Sequence, residues 1–151
     1  MEQGGTYALV LTVESDVYLQ IGKLGAYRFP PGYYVYVGSA LGGLAARLRR
    51  HLRTEKRPRW HIDYLLERAT LVEVWYALGQ DRLECVWNGL VGALPGGACP
   101  IPGFGASDCR CRCHLTHFPS PPPLHLFEGR LKEIGTTAIR VSARPSLQTL
   151  T

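Results

Sequence analysis

No apolar run in this chain approaches the ~18 residues that a membrane-spanning helix requires. The first residues, MEQGG, carry neither the basic start nor the apolar stretch of a secretory signal peptide. There is no internal repeat, so stacked-repeat architectures are excluded. Cysteines number five, an odd count that fits a reduced compartment better than a disulfide framework. Paired C-x-x-C knuckles are absent as well, which argues against a zinc-finger module. Charged residues make up 19% and hydrophobic residues 46%, the balance of a globular rather than a disordered chain. A cytoplasmic protein is expected, and 151 residues are enough for one domain with its own core.

What charge there is leans basic. The net charge is +5 and the pI about 9.1, which permits a nucleic-acid partner without requiring one. The excess is local: Arg47 to Arg68 holds eight Lys or Arg against Glu55, Asp63 and Glu67. This region follows the stretch Gly32 to Arg53, GYYVYVGSALGGLAARLRRHLR. Tyr33 to Val37 are all aromatic or β-branched and predict a strand. Gly38-Ser39-Ala40 breaks it, and Leu41, Leu44, Ala45, Leu48 and Leu52 then fall on one helical stripe. The opposite side carries Arg47, Arg49, Arg50, His51 and Arg53, and Lys56, Arg57 and Arg59 follow in a polar link. These cations are candidate phosphate contacts.

The remaining chain reads as a mixed α+β domain with a small antiparallel or mixed sheet flanked by helices. Thr6 to Val13 and Val17 to Gly22 predict strands joined by Glu14-Ser15-Asp16 as a hairpin. Trp60 to Ala69 predicts a helix, Leu71 to Leu78 a strand, and Asp81 to Leu94 an amphipathic helix. Asp81-x-x-Glu84 fits a capping box at its start. Periodicity is lost from 95 to 123, and Ser120-Pro-Pro-Pro123 suggests a linker or rigid loop. The expected division is a domain over 1–118 and a Pro-rich extension over 119–151. The extension would hold one more strand, Thr137 to Val141, and a loose tail from Arg144. Cys99, Cys109, Cys111 and His114 are candidate ligands for a structural zinc, although their spacing matches no standard zinc module. The plainer expectation is reduced cysteines packed in a compact loop.

Gly5-Thr6-Tyr7 on the first strand, Tyr36-Val37-Gly38 on the later one, and the following Arg47-Leu-Arg-Arg-His51 resemble the GIY-YIG nuclease superfamily. YVYVGSALGGLAARLRRHLR, WHIDYLL and GFGASDCRC (Gly103 to Cys111) are similar to an uncharacterised prokaryotic family. That family occurs alone or fused to endonuclease III-type DNA glycosylases, which makes such a repair enzyme a partner the resemblance implies. Thr6 stands where isoleucine is usual, and Gly42-Gly43 lengthens the gap before Arg47. The resemblance implies catalytic roles for Tyr7, Tyr36, Arg47 and His51, and a single metal ligand, Glu84, for one Mg²⁺ or Mn²⁺.

In that chemistry Tyr7 or Tyr36 assists deprotonation of a water, and Arg47 grips the scissile phosphate with two N–H donors. A phenol with an ordinary pKa near 10 is a poor base at neutral pH, so the basic helix is expected to lower it. The leading expectation is metal-dependent hydrolysis of DNA phosphodiesters in repair or processing. The alternatives are a nucleic-acid-binding module with weak or no chemistry, and a zinc-dependent interaction protein.

Overall fold

Gly5–Val13 forms β1, the strand around which the other layers are laid. A computed structural model describes residues 3–106 and 109–142; the tail from Arg144, and Ser107 and Asp108, lie outside the described residues. Eight of the nine residues of β1 are buried, because neighbours occupy both of its edges and both of its faces. β4 (Gly32–Ala40) pairs along one edge and β5 (Thr70–Leu78) along the other. β6 (Leu115–Phe118) and β7 (Ile139–Ser142) extend the sheet outward. The result is a five-stranded sheet of order β6-β4-β1-β5-β7, antiparallel throughout. The fold is therefore α+β.

The period-2 alternation of strands sorts side chains onto two faces. Tyr7, Leu9 and Leu11 of β1 lie with Tyr34 and Tyr36 of β4 against α1 (Leu44–Leu52) and α2 (His61–Leu66). Ala8, Val10, Val35, Val37 and Trp75 point the other way, against α3 (Glu84–Gly92) and α4 (Leu124–Glu133). Among the described residues no helix is long and apolar enough to cross a membrane.

Several boundaries differ from the sequence expectation. β2 (Val17–Ile21) does not form a hairpin with β1; it pairs with β3 (Gly25–Phe29) in a separate two-stranded ribbon. The reason lies in burial. Val17 and Ile21 are buried while Tyr18 and Gln20 are exposed, a one-sided pattern suited to a cover over the first face and unsuited to a place beside two-sided β1. α2 is shorter than expected, ending at Leu66, and α3 begins at Glu84. Leu83 stands at its N-cap without a side-chain cap, so the Asp81/Glu84 capping box does not form. Residues 119–142, expected as an extension, supply α4 and β7. Phe127 and Leu131 of α4 are buried with Trp75 and Trp87.

Candidate functional site

β6 pairs with β4 only from Tyr33 to Tyr36, and one further bond links Val37 N–H to His114 O at 3.1 Å. Past that point no strand among the described residues neighbours this edge of β4. A cleft of about 270 Å³ opens there, over Tyr36, Gly38 and Ser39. Because the sheet ends at this edge, groups from both of its faces meet. Arg47, Trp60 and His61 line the cleft from the α1/α2 side, and Glu84 at the start of α3 lines it with Arg82.

Tyr7 lies directly behind the cleft and is paired in register with Gly38. A Cβ at Gly38 would stand 2.7 Å from Tyr7 Oη, so glycine is required here by close approach. Tyr7 Oη is hydrogen-bonded to His51 Nε2 at 2.7 Å. The Tyr36 ring lies 6.4 Å from the Tyr7 ring and 6.4 Å from that of His51. The field of the basic helix does not lower the phenol pKa values. Burial outweighs Arg47, pushing Tyr7 up to about 12 and Tyr36 well above its ordinary value. The same desolvation lowers His51 to about 3, so its imidazole is neutral at physiological pH.

Arg47 sits in the first turn of α1, and the Gly42-Gly43 turn does not displace it from the site. Its Nη1 donates to Ser39 O at 3.1 Å, and its guanidinium stacks 4.3 Å from the Trp60 ring centre. Arg50 and Arg59 also lie over Trp60, at 4.3 and 5.0 Å. Each such contact is worth roughly 0.5–1 kcal/mol when exposed. One indole thus gathers three of the basic residues.

Two expected phosphate contacts are engaged within the chain. Arg50 grips buried Asp63 through two bonds of 2.9 Å, and Asp63 also accepts the backbone N–H groups of Arg59 and Trp60. Those donors hold the Asp63 pKa below its ordinary value despite burial. Lys56 Nζ donates to the carbonyls of Arg50, His51 and Arg53. It thereby caps the C-terminus of α1, where a cation also offsets the helix dipole. Arg53, Arg57 and Arg59 are exposed, as is Arg49 on α1.

Glu84 Oε1 meets Arg82 Nη2 at 3.2 Å, while Oε2 is buried with no hydrogen-bond partner. An orphaned carboxylate oxygen beside a cleft is costly unless something binds it. Hard carboxylate oxygens suit Mg²⁺ or Mn²⁺.

The sulfur and imidazole groups form a separate cluster. Cys99 and Cys113 are joined by a disulfide, so Cys99 leaves the expected ligand set and this pair is not the reduced thiols expected. Its place is taken by Cys85 of α3. The donor atoms of Cys85, Cys109, Cys111 and His114 all lie within 4.8 Å of one another, a set that can hold a metal ion. Hydrogen bonding with Cys111, then burial, then Cys109 push the Cys85 thiol up to about 12.

Residues 6–135 match the family model described as a domain of unknown function, DUF123. The chain belongs to this family. No curated protein and no solved structure matches it. The DUF123 span runs from β1 to just past α4, so the cleft and the sulfur cluster both fall inside it. Three of this DUF123 domain's site residues, Trp60, Arg82 and Cys85, escape a reading of the sequence. Trp60 stands in the WHIDYLL motif but carries no reactive group, and Cys85 lies far from the other cysteines in the chain. Its position next to Glu84 was the available signal.

Proposed function

We propose that this DUF123 domain hydrolyses DNA phosphodiesters with the help of a divalent cation, as a nuclease of the GIY-YIG kind. The observation that carries the reading is the meeting of Tyr36, Arg47 and Glu84 on one cleft, with Tyr7 and His51 directly behind it. Arg47 is held by Ser39 O and the Trp60 ring, which leaves its remaining N–H donors to orient a phosphate. Tyr36 is the phenol that lines the cleft, so contact with the attacking water falls to it. Tyr7 shares a proton with His51 Nε2. Glu84 would hold Mg²⁺ or Mn²⁺ through its unpartnered oxygen, and the bound ion would stabilise charge developing on the departing oxygen. Arg49, Arg53, Arg57 and Arg59 would meet flanking phosphates.

One observation favours the second reading, a binding module without turnover: burial holds both phenols neutral far above physiological pH. A panel of branched, nicked and single-stranded DNA, incubated with Mn²⁺, separates the two. Cutting by wild type that is abolished by Arg47→Ala and by Glu84→Ala establishes the nuclease and its site. Salt-sensitive binding without cutting across the panel selects the binding module. Cutting that survives both substitutions rejects the assigned residues.

A further inference from the structure

We propose that Cys85, Cys109, Cys111 and His114 form a closed zinc site that clamps the start of α3 to the loop preceding β6. This inference does not rest on the nuclease reading. Tetrahedral zinc with sulfur at about 2.3 Å and nitrogen at about 2.0 Å places neighbouring donor atoms about 3.5–3.8 Å apart. His114 Nε2 stands 3.1 Å from Cys109 Sγ and 3.8 Å from Cys85 Sγ, and the whole set of donors fits within 4.8 Å. Only the small contraction or expansion that accompanies ligation is needed.

The histidine is already oriented for the task. His114 is buried, and its Nδ1 meets the Val37 carbonyl at 3.1 Å. A carbonyl only accepts, so Nδ1 carries the proton and Nε2 presents its lone pair to the three sulfurs. A backbone carbonyl on the far nitrogen is the usual way a metal-binding imidazole has its tautomer fixed. Asn88, one turn beyond Cys85 on α3, donates from Nδ2 to the Cys113 carbonyl at 2.7 Å and so ties this helix to the loop that carries the other ligands. Thiolates and imidazole select zinc over Mg²⁺ and Mn²⁺, so this site and Glu84 take different ions.

Four protein ligands leave no position for water, and such an ion is structural. Its placement matters all the same. Cys85 adjoins Glu84, and Cys109 and His114 line the same cleft as Glu84. Zinc would fix the first turn of α3, and with it the Glu84 carboxylate, relative to the open edge of β4.

The test uses the full chain, expressed with and without added zinc and analysed for metal by mass spectrometry. One zinc per chain is expected in wild type and in Cys99→Ser, which lies outside the ligand set, and loss of stoichiometric zinc in Cys85→Ser and Cys111→Ser. Replacement by Co²⁺ should give the intense thiolate-to-cobalt absorption and visible bands of a tetrahedral sulfur site. Misfolding of a variant is handled in the wild-type chain, where a thiol-blocking reagent should release the zinc stoichiometrically. Absence of zinc together with no cobalt spectrum overturns the proposal. Full zinc content and an unchanged cobalt spectrum in Cys85→Ser overturn it too, since the ion would then have other ligands.

Discussion

The face of the sheet covered by α3 and α4 buries Ala8, Val10, Val35, Trp75, Trp87 and Phe127. The opposite face buries Tyr7, His51 and Asp63 among Leu9, Leu11 and Leu48. On the first face cohesion is a matter of area and close packing, which tolerates exchange of one apolar shape for another of similar volume. On the second, polar groups hold one another in pairs: Tyr7 with His51, and Asp63 with Arg50. Removing half of such a pair leaves the other half buried and unsatisfied. Both faces are packed with apolar side chains, but the buried polar pairs lie on the α1/α2 side alone, and groups from the two sides meet at the open edge of β4.

The contrast can be broken by substitution, and the largest effect belongs to the apolar face. Phe127→Ala removes a fully buried ring wedged between Trp75 and Trp87. Urea unfolding should show a loss of about 3–5 kcal/mol, while the folded fraction keeps its activity. A loss below ~1 kcal/mol would mean that α4 is not part of the core. Arg47→Ala should behave in the opposite sense. On the proposed nuclease reading, cleavage rates should fall roughly 10²–10³-fold, as for loss of one charge-stabilising donor set, with a stability cost near ~1 kcal/mol from the lost stacking and the hydrogen bond to Ser39 O. A large drop in melting temperature with unchanged turnover would reverse the assignment.

His51 sharpens the comparison through pH. Its pKa is about 3 in the folded chain against an ordinary 6.5, so between those values the unfolded chain binds a proton that the folded chain does not. Stability from this group is complete above pH 6.5 and falls as pH drops toward 3, by up to ~1.4 kcal/mol per unit. His51→Gln should flatten that part of a melting-temperature profile, whereas a substitution on the apolar face should leave its shape intact. The smallest effect is expected of Tyr7→Phe, which deletes the hydroxyl that meets His51. About 1 kcal/mol should be lost by denaturant unfolding, and the His51 titration should shift when followed by NMR.

Much of this architecture was legible in the sequence, and the failures have identifiable causes. β1, β4, α1 and β5 announce themselves by long alternating or helical patterns, and the Tyr7, Tyr36, Arg47 and His51 constellation was found through short motifs. β6 is only four residues long and sits in a stretch of Gly, Pro and Cys where alternation has no room to show. The proline run before α4 looked like a linker, yet Pro123 is its N-cap, a place where proline's missing N–H costs nothing. Cys85 was missed for another reason. Spacing along the chain from Cys99 to His114 does not point to it, because the fourth donor arrives from α3, far earlier in the sequence.

The place of β1 in the middle of the sheet has a consequence for how the protein is made. Its partners are residues 32–40 and 70–78, so a growing chain carries β1 for a long interval before either edge can be covered. During that interval GTYALVLTV is an uncharged, β-prone segment of the type that recruits copies of itself into aggregates. The Glu14-Ser15-Asp16 sequence just after it is exposed in the finished fold and places two negative charges where a gatekeeper against such pairing belongs. Removing both charges, as in Glu14→Gln with Asp16→Asn, is expected to lower the yield of folded protein, an effect that no assay of the cleft would reveal.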